Sequence, residues 1–271
     1  MAIEKEYVLG THDEEIERLG LQNRVWLSHA AGAWHRAGFD AGQTLLDVGC
    51  GPGWATLDLA GVVGRGGRVI GIDVSRRFLE AARARAEANG ITHAEFIELD
   101  LDAQPLPAMN VDGAWSRWVY AFLRNPRALL ARVAAVVRKG GTMVLHEYVD
   151  YRSWRLSPAR PEFEWFVDQV MASWRERGGE PDIGISLPGW LTELGFELRD
   201  LRVHQQATRP GEFFTRWPDA FVGVGLDRLV ELGRVDRERA NGVRRAYRES
   251  QASPGAFQVT PSVLEIVAVK R

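Results

Sequence analysis

Between Thr44 and Leu145 the chain alternates short apolar runs with longer stretches of helical period. Residues 45–48, 68–72, 95–99, 113–115 and 142–145 read as buried strands, because short runs rich in Val, Ile and Leu suit a sheet covered on both faces. Residues 54–63, 75–89 and 126–137 lie between them and read as helices. Local chemistry marks the ends. Ser75 suits an N-cap, Gly90 ends an Ala-rich stretch, Pro126 suits a first turn, and Lys139-Gly140-Gly141 closes the last helix. Strand–helix alternation through about five units predicts an α/β fold, a mostly parallel sheet with helices on both faces.

The flanks follow other rhythms. In residues 1–40, Ile16, Leu19, Val25 and Trp26 stand at helical spacings and predict one or two helices forming an N-terminal cap. After Tyr148, residues 150–185 carry dense aromatics and an amphipathic stretch over 161–177, read as an inserted helical lid. A helix over 187–194 ending at Gly195, a strand over 197–205, a second helical insertion over about 210–250 and a last strand over 262–269 complete the chain. The whole, 1–271, is expected to be one domain with its core at 42–148.

Composition narrows the function classes. With 45% apolar and 26% charged residues among 271, the chain has the make-up of a folded globular protein. Lys plus Arg number 34 against 36 acidic residues, and no basic stripe gathers that would neutralise phosphates, so nucleic acid is not the expected partner. Cys50 is the only cysteine, which excludes an intrachain disulfide and a two-cysteine metal site and agrees with a reducing compartment. The opening MAIEKEYVLG lacks the charged-then-apolar order of a signal peptide, and no apolar run reaches membrane-spanning length. The expected location is the cytoplasm, without a membrane partner; a homodimer is compatible with the sequence.

The strongest chemical signal is LLDVGCGPGWAT, residues 45–56, an apolar strand running into a glycine turn and then a helix. Gly49, Gly51 and Gly53, with Cys50 inside the turn, let the backbone bend sharply and approach a ligand. Asp73 ends the second strand 20 residues after Gly53 (73 − 53), the offset at which a carboxylate accepts ribose hydroxyls, and Val74 follows it. Three features depart from a dinucleotide fingerprint. The spacing is Gly-x-Gly-x-Gly, Pro52 removes a backbone donor, and Asp47 places a negative charge where a pyrophosphate would lie. That charge favours an ammonium or sulfonium, and Asp100 after the third strand can reach an adenine amino group. The sign of the charges points to S-adenosylmethionine.

On these residues the chain resembles the class I, Rossmann-like S-adenosylmethionine-dependent methyltransferases over about residues 42–148. The resemblance implies that Asp47 and the three glycines hold the methionine portion, Asp73 the ribose, and Asp100 with the Leu101 backbone the adenine. VDGAWSRW matches the family's fourth-strand motif, which implies Arg117 and Trp118 beside the methionine carboxylate and the transferable methyl. FLRNP resembles the family's segment after the fourth strand and KGGTMVL the entry to its fifth, and the resemblance implies a seven-stranded sheet with an antiparallel last strand. YVLGTHDEEIERLGLQNRVW is similar to the opening of a small-molecule branch, which implies that Tyr7, Gln22 and Trp26 close over the ligands. Trp26 is equally readable as a core anchor on an amphipathic helix.

Reacting ligands in such sheets meet beyond the carboxyl ends of the strands, which brings His146, Glu147 and Tyr148 into view. His146 is a candidate general base; it can also face the core, since methyl transfer proceeds by alignment alone. Tyr151, Trp154 and Trp217 in the insertions suit an apolar or aromatic acceptor pocket, or else pack the lid. No metal is expected: Asp150, Glu162, Glu164 and Asp168 form no compact ligand set, and His29 and His35 share no helix face and are expected at the surface. The sequence therefore predicts methylation of a small organic molecule at O, N or C, releasing S-adenosylhomocysteine. Its rivals are a non-methylating cyclisation or rearrangement with the same cofactor, a nicotinamide-dependent dehydrogenase, and a non-enzymatic adenosyl-ligand-binding partner.

Overall fold

A computed structural model describes residues 13–271. Tyr7 lies outside the described residues. The chain runs α1 (Asp13–Arg36), β1 (Thr44–Val48), α2 (Trp54–Val63), β2 (Arg68–Asp73), α3 (Arg76–Ala88), β3 (Ala94–Glu98), β4 (Val111–Arg117), α4 (Pro126–Val136) and β5 (Val137–Asp150). It continues through β6 (Arg155–Ser157), α5 (Pro161–Glu176), α6 (Leu187–Glu193), β7 (Phe196–His204), β8 (Ala207–Thr208), α7 (Arg216–Glu231), α8 (Arg237–Gln251), β9 (Phe257–Val259) and β10 (Ser262–Lys270).

Seven strands form one sheet in the order β3-β2-β1-β4-β5-β10-β7. Neighbours from β3 to β5 are parallel, whereas β10 runs antiparallel to both β5 and β7. Side chains alternate across the sheet. Trp115, Val144 and Val267 meet Trp34 of α1 and Leu59 of α2 on one face. Ala114, Met143 and Ile266 meet Leu129 and Val133 of α4 and Leu191 of α6 on the other. A third core, built from Trp154, Phe163, Phe166, Phe221 and Leu226 among others, fills the insertions and abuts Trp26, Trp118 and Tyr148. Among the described residues no helix is long and apolar enough to cross a membrane.

The helix boundaries follow their caps. Ser75 accepts a hydrogen bond from the Phe78 amide, and Asn125 caps α4 with Pro126 in its first turn. The N-terminal segment is a single helix over its described part, within the one or two expected. Two elements differ from the sequence expectation. Lys139-Gly140-Gly141 lies inside β5, where Gly140 has φ +73° and a Cβ on Gly141 would stand 2.7 Å from the Asp112 carbonyl, so the glycines bend a strand that continues to Asp150. The insertions are also not purely helical, because β6, β9 and β8 form a small antiparallel sheet that ties the first insertion to the segment after the second. At two or three residues each, these strands are too short for a period of two to show in sequence.

Candidate functional site

Strand β1 delivers the chain into a turn in which Gly49, Gly51 and Gly53 have φ of +66°, +53° and +78°, a region open to glycine at little cost. Their neighbours differ. A Cβ on Gly49 would lie 2.4 Å from Val119 Cγ2 and one on Gly53 2.6 Å from Ala82 Cβ, so both serve close packing. Gly51 faces open space, with nothing within 4 Å of its missing Cβ, and it borders a cavity at the carboxyl ends of the strands. Gly53 does not line that cavity; Ala82 and Phe96 crowd the place its Cβ would take.

The cavity encloses about 1160 Å³ of atom-free space, its solvent mouth included. Asp47 and Cys50 from the β1 turn, Asp73 and Val74 after β2, Asp100 and Leu101 after β3, and Arg117 and Trp118 at the end of β4 all border it. Gln22 lies over it from α1, with Leu19 and Asn23. Asp73 accepts from the Gly51 amide at 2.8 Å and the Ser75 amide at 2.9 Å, which fixes the carboxylate between the turn and α3.

Two charged groups on this wall lack full compensation. Arg117 donates through Nη2 to Asn23 Oδ1 at 2.7 Å, and Asn23 donates in turn to Asp58 at 2.7 Å, but Nη1 of Arg117 is buried without a partner. Burial draws the guanidinium down to about 10. Asp47 is 2% exposed and accepts from Thr56 Oγ1 at 2.6 Å; burial pushes its carboxyl up to about 7 against that hydrogen bond and the nearby Arg117. The wall thus presents an unpaired cationic donor, which suits a carboxylate, and a buried carboxylate, which suits a cation. Trp118 sits beside them with φ +53°, an unusual backbone for a non-glycine residue. Its indole stacks on Tyr148 and Trp217, each at 5.4 Å between ring centroids, and meets Trp26 edge-on at 5.2 Å.

Other expected site residues lie elsewhere. Trp26 is a core anchor, 1% exposed and outside the cavity lining. His146 faces α1 and not the cavity: it is fully buried between Trp115 and Trp26, with Nε2 3.0 Å from Glu265 Oε2, and burial lowers it to about 4. Glu147 points to the opposite face, where Oε1 accepts from the Val119 and Tyr120 amides at 2.7 and 2.8 Å; it holds the end of β4 in place. Tyr151 and Trp154 pack inside the insertions, Trp154 Nε1 donating to Gln258 Oε1 at 2.9 Å. His29 is half-buried, its ring centroid 4.5 Å from that of His204, whereas surface exposure was expected.

A family described as a methyltransferase domain matches residues 46–145, the stretch that carries Asp47, Asp73, Asp100, Arg117 and Trp118. A 2-phytyl-1,4-naphtoquinone methyltransferase of Trichormus variabilis is 30% identical over 169 residues, 58% of this chain and 67% of that protein. The chain belongs to the S-adenosylmethionine-dependent methyltransferases. An aklanonic acid methyltransferase of a Streptomyces species (strain C5) is 29% identical over 63% of this methyltransferase and 80% of its own length. The solved structure of coclaurine N-methyltransferase bound to N-methylheliamine and SAH shares the fold of this methyltransferase, with a TM-score of 0.58 at 16% identity over 90% of this chain and 72% of that one. Among curated relatives the matched stretch spans 57–80% of three and 30% of a fourth.

Sequence reasoning missed Leu19, Asn23, Phe122 and Leu123, which also line the methyltransferase cavity, as do Trp54 and Phe78. Asn23 carried a usable signal: an amide one residue past Gln22, on the same helix as the apolar positions 16, 19, 25 and 26.

Proposed function

We propose that the chain methylates a small, planar aromatic or quinoid molecule, and that the cavity beside Gly51 holds S-adenosylmethionine. The observation that carries this reading is the complementary pair on one wall, the buried unpartnered Nη1 of Arg117 and the buried carboxyl of Asp47. In that assignment Arg117 takes the carboxylate of the methionine portion, Asp47 the ammonium, Asp73 the ribose hydroxyls, and Asp100 with Leu101 the adenine. Bound there, the cofactor supplies an electrophilic methyl on a sulfonium. Trp118, backed by Tyr148 and Trp217, offers an aromatic surface next to it, which suits both a flat acceptor and a positive charge.

By their names the two relatives act on aklanonic acid and on a 2-phytyl-1,4-naphtoquinone, and the naphthoquinone ring supports a flat acceptor. Because His146 is buried away from the cavity, the residues present work by orienting the acceptor and excluding water, without a histidine base at that position. We read residues 1–271 as one cytoplasmic domain with 150–185 and 210–250 as its lid, acting on small molecules and not on nucleic acid.

The test is incubation of purified protein with S-adenosylmethionine and a panel of naphthols and quinols, followed by mass spectrometry. The expected result is an acceptor-dependent gain of one CH₂ equivalent with stoichiometric S-adenosylhomocysteine. Cofactor turnover to a product of unchanged mass, or full activity after Asp47→Ala and Asp73→Ala, contradicts the reading.

A further inference from the structure

Three strands at the far side of the sheet bring together side chains that their local sequences do not connect. Glu265 of β10 pairs with His146 of β5, and Val263, two residues earlier, pairs with His204 of β7. Residues i and i+2 of a strand share a face, so His146, Glu265 and His204 all project on the α1 side. His146 Nε2 lies 3.0 Å and His204 Nε2 2.9 Å from the same atom, Glu265 Oε2, and the three ligand atoms are all within 4.8 Å of one another. His146 and Glu265 are fully buried and His204 has 15% of its side chain exposed, so the cluster is enclosed except over His204.

We propose that His146, His204 and Glu265 bind one divalent transition-metal ion, zinc foremost. Zinc bonds of about 2.0–2.2 Å to nitrogen and oxygen place tetrahedral ligand atoms about 3.3 Å apart, so each imidazole nitrogen draws back a few tenths of an ångström from Glu265 Oε2 while the two nitrogens, as much as 4.8 Å apart, close on each other by up to about 1.5 Å. Two imidazoles and one carboxylate suit zinc, cobalt(II), nickel(II) or iron(II); calcium and magnesium take oxygen ligands. Three protein ligands leave a fourth position for water or another donor. Arg36, which pairs with the other oxygen of Glu265, also bonds Asp200 at 2.9 Å and keeps that partner when a cation takes Oε2. Binding presents the Nε2 lone pair of each imidazole and leaves its proton on Nδ1. Nδ1 of His146 has no protein acceptor, so affinity is expected ~10- to 100-fold below that of a fully supported site. The expectation of no metal weighed the acidic residues 150, 162, 164 and 168 and not this trio, whose members stand 119 and 61 positions from Glu265 and are united only by strand register.

None of the three residues lines the cofactor cavity, so the site is testable apart from methyl transfer. Untagged full-length protein, stripped with chelator, is titrated with cobalt(II) and read by its visible d–d absorption, then competed with zinc. The expected result is one cobalt per chain, displaced by one zinc, with a band lost in His204→Ala and Glu265→Gln and kept in the exposed-histidine control His35→Ala. Circular dichroism and S-adenosylhomocysteine binding report that the variants are folded. A wild-type chain that binds neither ion overturns the proposal even if every variant misfolds. So does a band that survives His204→Ala, or one lost in His35→Ala.

Discussion

Asp47 makes cofactor binding a proton-linked event. Its carboxyl titrates at about 7 in the ligand-free protein against 3.8 for an ordinary aspartate, chiefly because it is buried. An ammonium seated against it favours the ionised form, so binding expels the proton that the free site carries. At pH 6.5, half a unit below that value, about three quarters of the Asp47 side chains are protonated, and each binding event releases about 0.7 proton if the bound value drops below 5. Affinity for S-adenosylhomocysteine then rises about 50- to 90-fold from pH 5 to pH 8, about 2.3–2.7 kcal/mol, the upper end when the bound value lies well below 5. The sign for stability is the reverse. A carboxyl raised on folding stabilises the ligand-free chain most below pH 4, and that contribution is lost as the pH rises through 7. The assay is calorimetry at pH 6.5 in buffers of different ionisation enthalpy, in which the slope of observed enthalpy gives the protons released. A slope near zero in wild type refutes the reasoning, as does a slope unchanged in Asp47→Asn.

The glycine turn separates packing from binding. Gly51→Ala projects a methyl into open cavity space and is expected to weaken S-adenosylhomocysteine binding more than tenfold in calorimetry while stability falls by only about 1 kcal/mol in urea unfolding. Gly49→Ala drives a Cβ to 2.4 Å from Val119 and is expected to destabilise the fold by about 2–4 kcal/mol, read as a lower urea midpoint without ligand. Arg117→Met removes the donor for the methionine carboxylate; loss of a charged hydrogen bond, about 1.5–3 kcal/mol, predicts a roughly 10- to 150-fold higher Kd for S-adenosylhomocysteine and a smaller loss for adenosine, which lacks that carboxylate.

The part of the site that was legible in the sequence is the part made by local chain geometry. A strand, three glycines and a helix place Asp47 and Gly51 wherever the rest of the fold goes, and Asp73 and Asp100 follow as the residues at the ends of the next two strands. Residues whose role depends on register or on the opposite layer were not legible. The sequence HEY marks a strand end, but only pairing with β10 decides that His146 meets Glu265 while Glu147 faces the amides after β4. Gly51 and Gly53 look alike in sequence, and Ala82, brought by α3, is what turns the second into a packing residue. The same holds for Tyr151 and Trp154, whose aromatic character suited a pocket and whose neighbours in the insertions make them core.

The placement of β10 sets the order in which the molecule can be assembled. It lies between β5 and β7, yet the chain reaches Ser262 only after both insertions have been made. On a translating ribosome the first five sheet strands emerge in sequence, and β5 then waits with an unpaired edge while more than a hundred residues follow. The pairing of His146 with Glu265, 119 positions apart, closes a large loop and is expected late in folding. Until then the β5 edge is a template on which another chain can pair, so the step most exposed to misassembly, and to chaperone supervision, is the arrival of this one strand.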